Sequence, residues 1–119
     1  MRRIGFPIML VLALGCTSPA SQAELDKAKE AVQSVLESWK NGESPQKLKE
    51  RSIQVSDQDW QAGYKLLDYQ VKDPVSMGKE LPHCTVVLTL QDRRGKKFER
   101  EIVYEVHTRD KVVIARDPF

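Results

Sequence analysis

The sequence predicts an α+β fold, in which one long N-terminal helix packs on a curved four-stranded antiparallel sheet. Two periodicities support this prediction. Apolar residues recur every three or four positions between residues 25 and 39, and they alternate every second position from residue 64 onwards. A length of 119 residues with 40% hydrophobic and 30% charged residues suits one globular domain with short additions.

The N-terminus has the features of an export signal. Arg2 and Arg3 precede an apolar run over residues 4–15, which is too short to cross a membrane as a helix. The run ends at Cys16, and Leu12-Ala13-Leu14-Gly15-Cys16 resembles the lipobox of bacterial lipoproteins. The resemblance implies a signal peptide over residues 1–15 and a diacylglycerol on Cys16, which would become the new N-terminus.

Residues 16–23 then form the lipidated cysteine and a polar tether, and residues 24–119 form a single α+β domain. The expected location is the cell envelope, with the chain anchored in a membrane and facing the periplasm or the exterior. A cut after Ser21-Gln22-Ala23 is the alternative, because this small-x-small pattern suits ordinary signal peptidase. It would release a soluble periplasmic or secreted protein.

Charge and cysteine content exclude some functions. Without Arg2 and Arg3 the 19 basic residues fall to 17, which equals the 17 acidic residues. A protein that binds nucleic acid by neutralising phosphates needs an excess of Lys and Arg, so we expect no nucleic-acid partner. Cys84 is the other cysteine and is predicted to be a buried, unreactive thiol. Either cleavage route takes Cys16 out of disulfide pairing, because Cys16 is lipidated in one and removed in the other.

The first helix is predicted over residues 24–40. Its apolar face contains Leu25, Ala28, Ala31, Val32, Val35, Leu36 and Trp39. Ser21 and Glu24 form a capping-box pattern at its start, and Asn41-Gly42 is a typical helix end. Pro45 is predicted to begin a short helical turn through residue 50. Residues 56–59 are predicted to cap another brief turn that carries Trp60 and ends at Gly63.

Four strands are predicted after Tyr64, and the pattern of the central pair fixes its register. A three-residue loop, Arg93-Arg94-Gly95, pairs Leu90 with Phe98 and Cys84 with Tyr104, and it places glycine at the left-handed position. In the first strand, Leu67, Tyr69 and Val71 are predicted to face the core.

On the outer face the same register sets His83 opposite Glu105. This arrangement can be an exposed cross-strand pair or an acid/base dyad, and the pair is the commoner outcome. Arg100 breaks the apolar pattern because it falls at an inward position opposite Leu88. It must pair with a carboxylate, extend to solvent, or line a wet pocket that accepts an anion.

The order of elements resembles the nuclear-transport-factor-two-like fold and its smaller cystatin-like relatives, over roughly residues 24–117. Residues 38–45 and 59–69 also resemble small exported proteins of planctomycete-type bacteria, a group from which no activity can be carried over. The larger fold includes isomerases that use an inward aspartate and a tyrosine. This chain supplies Tyr69 and Tyr104 as inward tyrosines, but its inward rows contain no carboxylate. Together with Trp39 and Arg100 they line a pocket or fill the core.

Three function classes follow. The favoured one is a noncatalytic module that binds an envelope protein or small ligand; the others are a self-associating envelope protein, pairing through the outer sheet face, and a small enzyme with an anion-accepting pocket. We predict no catalytic residue, cofactor or metal, because phosphate-loop and zinc motifs are absent. A basic cluster at the hairpin tip, Arg93, Arg94, Lys96 and Lys97, either contacts an anionic surface or keeps the loop soluble.

Overall fold

The computed structural model describes residues 19–73, 75–78 and 80–117. The predicted signal peptide and Cys16 therefore lie outside the described residues. Within these ranges the α+β fold class is confirmed, with the sheet curled into a half-barrel. The elements are α1 (Pro19–Lys40), α2 (Pro45–Lys49), β1 (Ile53–Ser56), α3 (Gln58–Gln61), β2 (Lys65–Val71), β3 (Ser76–Met77), β4 (Pro82–Gln91), β5 (Lys97–His107) and β6 (Val112–Arg116).

The sheet differs from the predicted four antiparallel strands. The described residues form six strands in the order β1-β6-β5-β4-β2, with the two-residue β3 paired to the start of β4. β1 runs parallel to β6, so the sheet is mixed. The prediction missed β1 because it has only four residues and its partner lies some sixty positions later in the chain.

α1 begins earlier than predicted and ends where predicted. It starts at Pro19 rather than near residue 24, so residues 19–23 of the predicted tether are helical. Proline is tolerated in the first turn, where its missing N–H has no intrahelical partner. At the other end, Gly42 has φ +88° and its N–H donates to the Trp39 carbonyl, while the Glu43 N–H donates to the Ser38 carbonyl. This pair of bonds is a Schellman cap, which confirms Asn41-Gly42 as the helix end.

The predicted hairpin register is confirmed. Leu90 pairs with Phe98, Cys84 with Tyr104 and His83 with Glu105, and Gly95 has φ +92°. The first strand needs a correction, because the pairing of β2 with β4 shifts between Leu66 and Asp68. Leu66 is buried there and Leu67 is only half-buried, since a β-bulge inserts one residue and moves the alternation by one position.

The core lies between α1 and the concave face of the sheet. Residues buried along β4, such as Val86, Leu88 and Leu90, meet Val32 and Leu36 of α1. Each such side chain contributes about 1.5–3 kcal/mol when it is fully buried. Cys84 belongs to this core, and burial raises the pKa of its thiol to about 11, which confirms the buried thiol expected from the sequence. No described helix is long and apolar enough to cross a membrane.

Candidate functional site

A buried ionic network joins α3, β5, β6 and the residue that follows β1. At its centre is Asp57, whose side chain is fully buried. One carboxylate oxygen accepts the Tyr104 hydroxyl at 2.5 Å and the Arg116 Nε at 3.1 Å. The other accepts the backbone N–H groups of Asp59 and Trp60 at 2.9 and 3.2 Å, and lies 2.9 Å from an Arg116 nitrogen.

Strand register brings these residues together. β1 runs beside β6 with Ser56 opposite Ala115, so Asp57 leaves the sheet next to Arg116. Arg116 is in turn the direct partner of Tyr104 on β5. Asp57 also caps α3, which explains why the segment turns at that point.

Asp59 extends the network to the surface. Its carboxylate lies 2.8 Å from Arg116 and 3.5 Å from Arg100, whose guanidinium also stacks over the Phe98 ring at 5.3 Å. Arg100 therefore takes the first of the outcomes considered from sequence, because it pairs with a carboxylate. Two arginines balance two aspartates, and the acceptor sites of Asp57 are filled by neighbouring donors. Such a network is suited to holding β1, α3, β5 and β6 together.

The buried carboxylates correct one prediction. The sequence indicated no carboxylate beside the inward tyrosines, yet Asp57 bonds directly to Tyr104. This pairing was missed because it joins residues 47 positions apart through a strand that was not predicted. The sequence indicated the cap pattern at residues 56–59, but it did not indicate that the Asp57 carboxylate reaches Tyr104 and Arg116.

Two tyrosines, Tyr104 of the network and Tyr69 beside α1, make stability sensitive to alkaline pH. Burial, and then the charge of Asp57, raise the pKa of Tyr104 well above its usual value. Burial and the Glu37 hydrogen bond raise the pKa of Tyr69 to about 12. Above about pH 10 the unfolded chain releases tyrosine protons that the folded chain keeps, so stability falls as pH rises towards the folded-state pKa values.

We therefore predict a urea midpoint that decreases from pH 9 to pH 11. Tyr104→Phe should make this decrease shallower, because it removes one of the two hydroxyls whose pKa is raised in the folded chain. Urea unfolding followed by far-UV circular dichroism at each pH measures the slope. Equal slopes for the wild type and Tyr104→Phe would contradict the assignment.

The four residues predicted to line one pocket do not share one. Tyr104 is directed into the ionic network, and the Tyr69 hydroxyl reaches α1, where it donates to Glu37 at 2.6 Å. Arg100 pairs with Asp59 with its side chain 41% exposed. Only Trp39 of the four lines the open groove described next.

The groove lies at the C-terminal end of α1 and has a volume of about 490 Å³. Trp39 and Trp60 stack beneath it with ring centroids 5.1 Å apart and planes within 5°. Each indole is fixed by a backbone carbonyl, since Trp39 Nε1 donates to Tyr64 at 2.9 Å and Trp60 Nε1 donates to Glu43 at 3.0 Å. The rest of the lining comes from the α1–α2 turn and the start of β2, and it includes Lys40, Asn41, Ser44, Pro45, Lys65, Leu66 and Leu67.

The basic hairpin tip lies at this same end of the domain. Arg93, Arg94, Lys96 and Lys97 are all exposed. Asp92 holds the loop by accepting the N–H groups of Arg94 and Lys96, each at 2.9 Å, and these bonds lower its pKa. Gly63 links the tip to the groove, because a β-carbon at Gly63 would lie 3.8 Å from the Arg93 side chain.

The outer face of the sheet holds the predicted His83–Glu105 pair. His83 Nε2 lies 3.3 Å from Glu105 Oε2, so the pairing across β4 and β5 is confirmed. Asp117, which follows β6, lies near the other ring nitrogen at 3.9 Å. Among the residues with described coordinates, these three form a group whose ligand atoms could hold a metal ion.

Comparison with known proteins adds no family to this geometry. No protein-family model, curated protein or solved structure matches the chain. The functional argument therefore depends on the groove, the ionic network and the outer-face cluster themselves.

Proposed function

We propose that this chain is a noncatalytic binding module, anchored at the cell envelope through a lipid on Cys16, whose groove beside Trp39 and Trp60 binds an anionic ligand with an aromatic or apolar body. The groove carries the proposal. Its volume of about 490 Å³ lies in the range of small-ligand sites, and two aromatic rings form its base. Both indole N–H groups are already bonded to the backbone, and the two tryptophans are only 3% and 6% exposed, so they present a small apolar edge to the groove.

The charge of the lining favours an anion. Lys40 and Lys65 are exposed at the groove, and Lys40 also lies 3.7 Å from the exposed carboxylate of Asp68, which is outside the lining. The acid in the lining, Glu43, is neutralised by Arg51, which lies 3.0 Å from each of its oxygens. The hairpin tip adds four basic residues at the same end, so the local field attracts a negatively charged ligand.

A noncatalytic role is supported by how the buried ionic groups are used. Asp57 and Asp59 bind arginines, and the Asp57 carboxylate is fully buried. A general base must reach a substrate proton at hydrogen-bond distance. The acceptor sites of Asp57 are instead occupied by the backbone N–H groups of α3, the Tyr104 hydroxyl and Arg116.

The anchor and the groove would lie at opposite ends of α1. Only two residues, Thr17 and Ser18, stand between Cys16 and the first residue of the helix. From Pro19 to Trp39 the helix extends about 30 Å. A lipid on Cys16 would thus hold the N-terminal end of the domain at the bilayer and leave the groove open at the far end.

Intrinsic fluorescence provides a direct test of the groove. The chain has two tryptophans, and both line the groove, so indole emission reports on this one place. The dye 8-anilinonaphthalene-1-sulfonate has an aromatic body and one sulfonate, and it accepts energy from indole. We expect saturable, one-to-one quenching of tryptophan emission in the folded chain.

Charge reversal should separate groove binding from nonspecific adsorption. The double variant Lys40→Glu/Lys65→Glu is expected to weaken dye binding about tenfold, equivalent to ~1.4 kcal/mol. Lys27→Glu/Lys111→Glu is the matched control, because it makes the same charge change at exposed lysines outside the lining. Equal loss in both variants, or no saturation in the wild type, would refute the groove as the binding site.

A further inference from the structure

We propose that His83, Glu105 and Asp117 form a binding site for a late first-row divalent cation, with Zn²⁺ as the representative ion. One ligand atom from each residue can be chosen so that all three atoms lie within 4.8 Å of one another. An imidazole with two carboxylates is a donor set that zinc accepts, and three protein ligands leave a coordination position open. The site is independent of the groove, since none of the three residues lines it.

The spacing of the donors fits a small ion. Zinc binds nitrogen and oxygen at about 2.0–2.1 Å, so neighbouring donors around a tetrahedral ion lie roughly 3.3 Å apart. His83 Nε2 and Glu105 Oε2 are 3.3 Å apart. The carboxylate of Asp117 lies beside the other ring nitrogen, 3.9 Å from Nδ1, so the proposal requires the Asp117 side chain to turn towards an ion bound at Nε2.

Backbone pairing fixes the positions from which the three ligand side chains extend. His83 and Glu105 are direct cross-strand partners in β4 and β5. The Asp117 N–H donates to the Val103 carbonyl at 2.8 Å, which continues the β5–β6 ladder by one residue. The three side chains are 26%, 39% and 22% exposed, so an ion can reach them from solvent.

Gly78 positions the imidazole. A β-carbon at Gly78 would lie 2.4 Å from His83 Nε2, 2.6 Å from Cε1 and 2.8 Å from Cδ2. A point so close to all three atoms lies over the face of the ring, because an atom in line with the Nε2 lone pair would be much farther from the two carbons. The glycine backbone therefore covers the ring face and leaves the lone pair directed along the ring plane.

Calorimetric titration of the full chain with ZnCl₂ tests the site. The protein is purified in detergent, stripped with a chelator and exchanged into chelator-free buffer. We expect one saturable Zn²⁺ per chain and a higher unfolding temperature with zinc, because the ion would join β4, β5 and the residue after β6. Co²⁺ should give the visible absorption of a low-symmetry, nitrogen- and oxygen-ligated ion.

Substitutions identify the ligands. His83→Ala, Glu105→Gln and Asp117→Asn should each abolish the saturable binding. The controls are His107→Ala and Glu99→Gln, which remove an imidazole and a carboxylate from the same outer face of β5, and both should bind as the wild type does. Gly78→Ala removes no ligand atom. It should nevertheless weaken binding about tenfold, because the new β-carbon forces the His83 ring to move.

Circular dichroism in chelator confirms that each variant is folded. The proposal is overturned if the wild type shows no one-to-one Zn²⁺ binding, or if His83→Ala retains it. Retention by Asp117→Asn, with loss in the other two variants, would also overturn the three-residue site.

Discussion

Asp57→Ala is expected to lower the free energy of unfolding by about 3–5 kcal/mol, the usual cost of removing one partner from a buried ion pair. The substitution removes the two carboxylate oxygens that contact Arg116. One of these oxygens also accepts the Tyr104 hydroxyl. It also removes the N-cap of α3, whose loss alone costs about 0.5–2 kcal/mol. Urea unfolding followed by far-UV circular dichroism measures the change.

Asp68→Ala is the matched control. Asp68 is an exposed carboxylate 3.7 Å from Lys40, and such surface pairs contribute about 0–1 kcal/mol. A loss at Asp57 no larger than the loss at Asp68 would show that the network does not hold the strands together. A double-mutant cycle that combines Asp57→Ala with Tyr104→Phe measures the coupling energy between the two buried groups. We expect this coupling energy to be well above the small deviation from additivity that separate sites show.

Asp57→Asn refines the interpretation. The amide keeps one oxygen that can cap α3 but loses the charge that balances Arg116. We expect a smaller loss than for Asp57→Ala, and the difference between the two variants reports on the cap. Because Asp59 stays bonded to Arg116 at 2.8 Å, the guanidinium keeps one partner in both variants.

Local pattern predicted much of the fold. The end of α1 could be predicted because Gly42 is needed for its left-handed cap. The hairpin could be predicted because a three-residue loop, unlike a two-residue turn, pairs Leu90 with Phe98. These features depend on residues near one another in the chain. Period and turn chemistry are enough to fix them.

The ionic network could not be predicted in this way. Asp57 bonds to residues 47 and 59 positions away, and the contact requires β1 to pair in parallel with β6. Four residues with two apolar positions carry too little pattern to identify such a strand. The bulge between Leu66 and Asp68 is a similar case, because its position depends on how β2 meets β4 rather than on β2 alone.

Of the three residues in the outer-face cluster, the sequence predicted the pairing of His83 with Glu105 but not the place of Asp117. The pairing of His83 with Glu105 follows from the hairpin register, which the loop length fixed. Asp117 joins them only because β6 lies beside β5 with Tyr104 opposite Arg116. Sequence alone predicted a strand near residues 112–116 but not its register, so the third ligand had no assigned place.

Cys16→Ala is expected to remove all acyl mass from the chain. Of the substitutions considered, we expect this one to change the membrane attachment of the protein most. Two acyl chains give stable membrane attachment, whereas a chain without them would be held only through an uncleaved leader. Intact mass of the protein from separated membrane and soluble fractions measures this. The wild type should occur in the membrane fraction, begin at Cys16 and carry added acyl mass. Cys84→Ala is the matched control and should keep that mass, because Cys84 is buried in the core.

The N-terminus found in this experiment also decides how the groove is presented. A soluble wild-type species that begins at Glu24 would contradict the anchor, and its cut would fall within α1, after the first five residues of the helix. The groove at the other end of α1 would be unchanged by such a cut, so dye binding would persist in a diffusible protein. An acylated chain that begins at Cys16 has only Thr17 and Ser18 before the helix. That short connection would keep the His83 end of the sheet near the bilayer, because Glu24 of α1 pairs with Arg109 in the β5–β6 turn, next to the end of β5 that bears Glu105.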